Sequence, residues 1–376
     1  MLEYLTATLD DKEDIVDFIN YVFSQSRKPH DFRSLMPKSY ADDVTDLGAT
    51  HYLVKKDNKI KAVVANRIID IVAGKGTLKF GLIGNVAVHP YSRGEGYMKK
   101  LMQAAISDAK DNGVDILVLA GQRQRYGYFG FENAGAALHF IVSKDNLRHC
   151  FSELNCSDIT FKPLTEANND EINTAIALYE KRPYHTLRNR DEYHNIMRTW
   201  NAECRIIYKK DKMIGYSYSA FSELILEDES DFPLVLKALF EQDNLCEVDI
   251  PVAQFEKERA SFLASICENS NIQPLEMINV LCWENALKVL FDFKAKVSTL
   301  LDGDLEVQID SEVFVISVKE GTPTVEKLDT ASKSAIRLTH SEAAQKFFSL
   351  NSLLLADERF KNWVPLPFLI DAPDSY

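Results

Sequence analysis

An arginine and two glycines between a predicted strand and a predicted helix form the part of the sequence best suited to bind an anion. The residues Arg93 to Gly96 follow the apolar run 80–88 and a His-Pro break, and they precede an amphipathic helix. Backbone N–H groups that open a helix are unpaired and lie at the positive end of its dipole, which suits phosphate or pyrophosphate. Gly94 and Gly96 let a ligand approach the backbone closely. An ordinary strand-to-helix connection can also carry two glycines, so this pattern alone is a weak signal.

The order of the strand, His-Pro, Arg-x-x-Gly and helix resembles the acetyl-coenzyme A motif of the GNAT superfamily of N-acyltransferases, Arg/Gln-x-x-Gly-x-Gly/Ala. Arg93 and Gly96 match this motif, whereas Met98 stands where a small residue is usual, as in a divergent branch. The resemblance implies that the strand pairs with the pantetheine arm and that its backbone N–H groups hold the oxyanion. The cofactor-binding residues that it implies are Val86, Ala87, Val88, Arg93, Gly94, Glu95, Gly96, Tyr97 and Met98.

A second candidate for chemistry lies in the aromatic segment 121–131, which follows the next predicted strand. Phe129 and Phe131 are interpreted as core residues after a short helix that ends at glycine. Tyr126 differs, because its hydroxyl would lie beside the end of the cofactor strand, within reach of a thioester sulfur. A leaving thiolate needs a proton, and a phenol with a pKa of about 10 can supply it. Tyr126 is therefore the candidate general acid.

The elements around these residues follow from hydrophobic periodicity. In the first part of the chain we predict a strand at 2–8, a helix from Asp11, strands at 51–55, 60–67 and 80–88, a helix from Tyr97 and a strand at 116–120. The segment 27–43 is predicted to be irregular, either a loop over a substrate mouth or a surface connection. The alternation of strands and helices predicts an α/β fold.

A similar alternation of strands and helices begins again near Phe161, with a helix at 170–179, a hairpin within 204–220, a strand at 222–226 and a helix at 233–242. No Arg-x-x-Gly turn accompanies it, which indicates a second fold copy that lacks a cofactor site. From Asn285 the pattern changes again, to a helix, strands at 304–309, 313–319 and 334–339, and another helix. The aromatic and proline-rich segment 363–376 is predicted to be docked, although chain ends usually fray.

Arg-x-x-Gly followed by Tyr-Gly-x-Phe-Gly-Phe in a chain of 376 residues resembles the Eis-type (enhanced intracellular survival) N-acetyltransferases. This resemblance implies an α/β protein with two tandem GNAT-like domains and a C-terminal α+β domain similar to sterol carrier protein. The implied boundaries are 1–150 for the catalytic domain, 151–284 for the degenerate copy and 285–376 for the sterol-carrier-like domain. A homo-oligomer is also implied, since hexamers occur in this family.

A base must take a proton from the amine before its nitrogen attacks a thioester. Residues 80–88 contain no carboxylate, so the base comes from elsewhere or water relays the proton. The Eis-type resemblance implies that the base is the free α-carboxylate of the last residue, here Tyr376, paired with Tyr126 as acid. Ser375 stands where that family often has an acidic residue, with Asp374 one position earlier, so the group that orients the substrate stays open. His89 is the alternative base, although a histidine before proline is more often a turn residue.

Composition narrows the class of protein. The chain has 46% hydrophobic and 26% charged residues, which is ordinary for a globular protein that buries a full core. A formal net charge of −13 argues against nucleic acid or an anionic membrane as partner, and it favours cationic amines, although it also serves solubility. The six cysteines include no Cys-x-x-Cys pair and predict reduced thiols and no metal site. No leader and no apolar run of about 20 residues is present, so we expect a cytoplasmic protein.

These observations predict an acetyl-coenzyme A-dependent N-acetyltransferase that acts on a primary amine, either a small molecule or a peptide. The amine itself stays open among aminoglycosides, polyamines, lysine side chains and peptide N-termini. The alternative is a non-catalytic module that senses or binds acyl-coenzyme A or lipid, the latter in a cavity of the C-terminal domain.

Overall fold

The computed structural model describes residues 1–26, 28–354 and 357–376 and shows a mixed α/β protein. In the first part of the chain the strands are β1 (Leu2–Thr6), β2 (Thr50–Lys56), β3 (Lys59–Ala73), β4 (Gly76–Val88), β5 (Ile116–Leu119), β6 (Glu132–Ala134) and β7 (Ala137–Ser143). The helices of this part are α1 (Lys12–Ser24), α2 (Phe32–Leu35), α3 (Pro37–Tyr40), α4 (Tyr97–Asp111), α5 (Arg123–Tyr126) and α6 (Lys144–Cys150).

The middle of the chain continues with shorter strands and three longer helices. Its strands are β8 (Ile159–Pro163), β9 (Tyr184–Thr186), β10 (Cys204–Lys209), β11 (Lys212–Tyr218), β12 (Glu223–Leu226), β13 (Glu247–Ala253), β14 (Asn269–Gln273) and β15 (Glu276–Val280). Its helices are α7 (Asn169–Glu180), α8 (Tyr193–Met197), α9 (Phe232–Gln242) and α10 (Lys257–Ile266).

The last part of the chain packs two helices on a small sheet. Its elements are α11 (Trp283–Val297), β16 (Gly303–Ile309), β17 (Glu312–Lys319), β18 (Thr322–Leu328), β19 (Ile336–Leu338), α12 (His340–Phe348) and α13 (Asn351–Leu354). The strand order is β18-β17-β16-β19. Fully buried aromatic side chains fill the space beneath the helices, namely Phe291, Phe314, Phe347, Phe348, Phe360 and Trp363.

The first sheet has the order β1-β2-β3-β4-β5-β15-β6. β1 to β4 form an antiparallel meander, and β5 pairs with β4 in parallel. β15 comes from much later in the chain and inserts between β5 and β6, antiparallel to both. β9 pairs with the end of β3 that extends beyond β2. The first sheet therefore joins the N-terminal residues to the middle of the chain.

Two hydrophobic clusters cover the two faces of the first sheet. Val54 and Val64 pack beneath α4, in what we call the α4 cluster. Their neighbours Leu53 and Val63 pack with α1 and α3, in what we call the α1 cluster. Because successive side chains of a strand point to opposite faces, this alternation places α4 on one face of the sheet and α1 on the other.

The middle region repeats the order of the first elements. β8, α7, the antiparallel strands β10 to β12 and α9 follow one another as β1, α1, β2 to β4 and α4 do, apart from short intervening elements. β13 then pairs with β7 and not with β12. Strand pairing thus crosses the expected boundary at 150, since β7 joins β13 and β14 and β15 joins the first sheet, whereas β16 to β19 pair, among the described residues, only with one another. The division at 150 and 284 stays a prediction.

The α/β prediction is confirmed, and one local prediction is wrong. The segment 27–43 is not wholly irregular, because it contains α2 and α3, and Lys38, Ser39 and Tyr40 are buried there. Arg27, at its start, lies outside the described residues. The prolines and polar residues suggested a loop, but burial of Phe32 and of all four residues of α3 stabilises two single-turn helices.

Across the described residues, no helix combines the length and the apolar character needed to cross a bilayer. The same part of the chain brings together no group of three His, Cys, Asp or Glu side chains suited to a metal ion.

Candidate active site

β4 and β5 pair over only three residues and then separate. Their register joins Phe80 to Ile116, Gly81 to Leu117 and Leu82 to Val118. β4 continues to Val88, while β5 ends at Leu119. From Ile83 onward, the edge of β4 that faces β5 has no strand partner among the described residues. A strand edge of this kind offers backbone N–H and C=O groups to an extended ligand.

A bulge in β4 lies within this open stretch. The register with β3 shifts between Val63 and Ala65, where β4 has one extra residue. Asn85 adopts a φ of +51°, a conformation that asparagine tolerates better than most residues. Its side-chain amide donates to the hydroxyl of Tyr40 at 2.6 Å. The bulge places Gly84 and Ala87 on the face of the α1 cluster, and Val86 and Val88 on the face of the α4 cluster.

The predicted anion turn joins β4 to α4 and has an open backbone. A short 3-10 turn spans Pro90–Ser92, and the chain then passes through Gly94 at φ +88° and Gly96 at φ +76° into α4. A Cβ atom at either glycine would meet no atom within 4 Å, so space for a ligand lies against the backbone. The first turn of α4 holds no acidic residue and receives no side-chain cap from Gly96. These features fit a bound pyrophosphate.

The side chains around this turn leave its backbone clear. Arg93 is exposed. The hydroxyl of Tyr97 donates to Glu95, whose charge, together with burial, raises the pKa of Tyr97 to about 12. Met98, which stands where the motif usually has a small residue, packs against the α4 cluster beneath the helix. Lys99 lies 4.8 Å above the ring of Tyr128, which ties α4 to the segment after α5.

Tyr126 lies at the end of α5, on the same face of the sheet as α4. It is buried in the α4 cluster with Ile83, and its ring lies against Gly121, where a Cβ would be 2.3 Å from Cε2 of the tyrosine. Burial raises the pKa of the Tyr126 phenol, although Arg125 partly opposes the shift. The phenol therefore keeps its proton at neutral pH and is available as a donor.

Tyr376 lies on the opposite face of the same strand. Its ring and its carboxyl carbon pack over Gly84, where a Cβ would be 2.3 Å from the ring and 3.1 Å from that carbon. Its hydroxyl is 3.4 Å from that of Tyr40 and 3.3 Å from Nε2 of His51. The prediction that the last segment is docked is confirmed, since Trp363, Leu366 and Phe368 are also buried. Tyr126 and Tyr376 belong to different clusters and flank the open part of β4 without touching.

Two other sequence candidates have structural partners. His89 directly follows β4, accepts a hydrogen bond from the N–H of Tyr91 and stacks near Phe18. Burial lowers the pKa of His89, with a smaller effect from Lys61. Asp374 is buried and forms an ion pair with Arg188 at 3.0 Å, so this carboxylate helps to hold the tail.

A cavity of about 660 Å³ opens where β2 and β9 leave a gap along the edge of β3. It is bordered by Asn66 to Asp70 of β3, the loop before β2 and residues 186–192. Its carboxylates are those of Asp46, Asp70, Glu192 and Asp374, and its cations are Lys38, Arg67 and Arg188. Glu192 pairs with Arg67 and Asp374 with Arg188, which leaves Asp46 and Asp70 without an ion pair among the described residues.

Sequence reasoning missed several residues that hold the tail, namely Lys38, Tyr40, His51, Gly84 and Arg188. Four of them carry no local motif, because their partners are distant in the sequence. The partner of Arg188 lies more than 180 positions away, and those of Lys38, Tyr40 and His51 lie more than 300 positions away. Gly84 did carry a signal. An isolated glycine within an apolar strand indicates a bulge or a close approach by another group, and here both occur.

The comparisons with known proteins agree with this geometry. Residues 3–134 match the family model described as an acetyltransferase (GNAT) domain. The matched region contains β4, the glycine turn, α4, β5 and Tyr126. Among curated proteins, no sequence match to the chain is found.

Solved structures extend the likeness to the whole chain. Eis1 from Mycobacterium abscessus aligns over 100% of both chains, with a TM-score of 0.66 and 11% identity. A GCN5-related N-acetyltransferase from Anabaena variabilis aligns over 100% of both chains, with a TM-score of 0.67 and 15% identity. A probable N-acyltransferase from Enterococcus faecalis V583 covers 92% of this chain and 90% of its own, with a TM-score of 0.67 and 14% identity. The chain therefore has a GNAT-like fold, and its N-terminal third carries the sequence of a GNAT acetyltransferase domain.

Proposed function

We propose that this protein is an acetyl-coenzyme A-dependent N-acetyltransferase that acts on a primary amine. The observation that carries the proposal is the open edge of β4, which begins where β5 separates and ends at a glycine turn with free backbone space. The GNAT domain match covers the same residues. An extended pantetheine arm would occupy the open edge of β4, and a pyrophosphate would occupy the adjoining glycine turn.

The residues proposed to hold the cosubstrate are those of the strand and the turn. Val86, Ala87 and Val88 would pair with the pantetheine arm, and one of their N–H groups would donate to the carbonyl oxygen as negative charge develops there. The backbone from Arg93 to Met98 would bind the pyrophosphate. Acetyl-coenzyme A would supply an activated thioester. The open space at Gly94 and Gly96 supports this assignment.

Two groups flank the open edge and are proposed to move protons. The α-carboxylate of Tyr376 would take a proton from the ammonium of the substrate, and its carboxyl carbon lies against Gly84 in the bulge. Tyr126 would donate its phenolic proton to the sulfur of the departing coenzyme A. The phenol carries its proton at neutral pH, although burial raises its pKa and so makes it a weaker acid.

We propose that the amine enters through the cavity beside β3. It borders Asp374, near the end of the chain, and Lys38, which donates to the carbonyls of Pro373 and Ser375, so it lies near the proposed base. The unpaired carboxylates of Asp46 and Asp70 and the net charge of −13 favour a cationic substrate. By resemblance to the Eis-type enzymes we also propose a homo-oligomer, which light scattering after size-exclusion chromatography would test.

Calorimetry and turnover together test the proposed function. We expect acetyl-coenzyme A to bind, and we expect coenzyme A release with at least one amine from a panel of aminoglycosides, polyamines and peptides. Binding without turnover across the panel would favour the alternative, a module that senses acyl-coenzyme A. Absence of acetyl-coenzyme A binding, with uptake of a fluorescent fatty acid, would favour a lipid-binding module.

A further inference from the structure

The C-terminal tail, residues 371–376, is fixed by contacts to two distant parts of the chain. The middle region supplies a buried cluster of charges. Arg188 donates through Nε to both carboxylate oxygens of Asp374, at 3.0 and 3.2 Å, and through Nη1 and Nη2 to Glu223, at 2.9 and 2.5 Å. Arg188, Glu223 and Asp374 are each less than 10% exposed. The guanidinium also lies 3.7 Å from the ring centre of Tyr179.

The charges of this cluster are unevenly balanced. One guanidinium lies between two carboxylates, and burial disfavours charge on both. Burial alone would raise the pKa of Asp374, but Arg188, together with Lys38 and Thr186, outweighs burial and lowers that pKa. For Glu223 burial prevails over Arg188, and the pKa is raised. Asp374 is therefore the carboxylate whose charged form this cluster favours more strongly.

The N-terminal region holds the same tail by its backbone and its last side chain. Lys38 is 2% exposed, and its amine donates to the carbonyls of Pro373 at 2.8 Å and Ser375 at 2.6 Å. These bonds fix the backbone on both sides of Asp374. The ring of Tyr376 occupies the space left by the missing side chain of Gly84.

The hydroxyl of Tyr376 ends in a polar socket formed by Tyr40 and His51. Nδ1 of His51 is 2.9 Å from the carbonyl of Ala49 and donates to it, so Nε2 is the acceptor. The Tyr40 hydroxyl donates to that nitrogen at 2.7 Å and accepts from Asn85. The socket therefore connects the end of the tail to the bulge of β4.

From these contacts we infer that Arg188, Lys38 and Gly84 are positioning residues that fix the carboxylate of Tyr376 beside the open edge of β4. The middle region, which has no glycine turn of its own, thereby acquires a function: it holds the tail that completes the site of the first region. This inference rests on the proposed function, because it assigns the carboxylate to catalysis.

Gly84→Ala is the decisive variant. Its methyl group would lie 2.3 Å from the Tyr376 ring, so the tail must move while β4 keeps its pairing. A displacement of about 1 Å at a reacting group can lower turnover about 10²-fold. We expect that loss in kcat, with an unchanged Kd for acetyl-coenzyme A. Lys38→Met should act in the same direction without leaving a buried charge.

Carboxypeptidase A gives a readout of the tail that does not depend on turnover. We expect it to release Tyr376 faster from Gly84→Ala and Lys38→Met than from the wild type. Gly81→Ala, in the same strand as Gly84, is the matched control, because its methyl group would crowd Leu117 of β5 and Asn66 of β3 but not the tail. Release from Gly81→Ala should equal that from the wild type.

A double-mutant cycle with deletion of Tyr376 tests the positioning role of Gly84 separately from the proposed role of the Tyr376 carboxylate as base. If Gly84 acts through the tail, Gly84→Ala will lower kcat in the full chain and have no further effect in the shortened chain. Equal effects in both chains would overturn the positioning role while leaving the base intact. Full activity after deletion of Tyr376 would overturn both the proposed base and the positioning role. Unchanged tail release from Gly84→Ala and Lys38→Met would overturn the positioning role alone.

Discussion

The helices α4 and α9 occupy corresponding places in the first and middle regions, but their N-termini differ. α4 follows Gly94 and Gly96, and no acidic residue lies in its first turn. α9 follows Asp228, Glu229 and Asp231, and the Asp228 carboxylate accepts the N–H of Ser230. The N-cap of α9 is Asp231, where α4 has Gly96, so a carboxylate lies at the positive end of α9. Glu95, just before Gly96, instead accepts from the Tyr97 hydroxyl. We propose that the first region admits an anion at this place and that the middle region does not.

The difference shows that one arrangement of elements supports two roles. The first region keeps an open turn and an open strand edge for a ligand. The middle region instead uses Glu223, at the start of the strand before α9, to hold Arg188 and through it the tail. Four predictions test this division, beginning with the largest expected effect.

Residues added after Tyr376 should abolish turnover and leave the fold intact. The added chain removes the α-carboxylate from its place beside Gly84, and loss of a general base costs about 10³-fold in rate. Steady-state turnover and the melting temperature would measure the two effects. The matched control carries the same residues before Met1, whose ammonium is exposed. A C-terminally extended protein with wild-type turnover would exclude the carboxylate as base.

Tyr126→Phe should lower kcat about 10²-fold while acetyl-coenzyme A affinity stays within about twofold of wild type. The substitution removes the proton donor but keeps the ring that packs on Gly121. Tyr128→Phe is the control, since Tyr128 is 65% exposed and lies outside the α4 cluster. Equal turnover of the two variants would remove Tyr126 from the mechanism.

The socket for the tail should weaken in mild acid because His51 is buried. Burial lowers the pKa of His51 from 6.5 to about 4, so the unfolded chain binds a proton first as the pH falls. The contribution of His51 to stability is complete above about pH 6.5 and falls by about 2 kcal/mol at pH 5. Denaturant titrations of wild type and His51→Gln at pH 7 and pH 5 would measure it as the difference between the two proteins.

The comparison with His51→Gln is necessary because another buried group, Glu276, changes the stability in the opposite direction with pH. Burial raises the pKa of Glu276 to about 7, so its contribution to stability decreases as the pH rises above 4.5. Glu276 is present in both proteins and cancels. Parallel pH dependence in wild type and His51→Gln would contradict the role given to His51.

Gly96→Asp should make the start of α4 resemble that of α9. Compared with Gly96→Asn, which has the same shape and a similar tolerance of positive φ, the added charge should weaken acetyl-coenzyme A binding about tenfold. Calorimetry on both variants isolates the charge. Asp231→Asn, at the start of α9, should leave the affinity unchanged. Equal affinities for the two Gly96 variants would indicate that the pyrophosphate lies elsewhere.

Local patterns were sufficient to predict the elements that carry the site. The run 80–88, the turn and the helix from Tyr97 correspond to Gly76–Val88 and Tyr97–Asp111 in the structure, and the strand at 116–120 corresponds to Ile116–Leu119. Apolar periodicity and glycine chemistry are properties of neighbouring residues, so the sequence displays them directly. The resemblance to a known family added the interpretation of the turn.

Contacts between distant residues could not be predicted in the same way. Arg188 lies in a polar stretch that suggests an exposed loop, yet it is buried because Asp374 and Glu223 converge on it. β15 reads as a short apolar run, and nothing local indicates that it inserts between β5 and β6. Such pairings depend on topology, which a single sequence does not encode in any short window.

The insertion of β15 has a consequence for biosynthesis. While the ribosome is still making residues before Glu276, β5 and β6 are both present but lack the strand that joins them. Unpaired strand edges favour association with other chains, so we expect a nascent protein of this length to be prone to aggregation. Gene fragments that stop near residue 150 should accordingly yield aggregates in place of a working N-terminal unit.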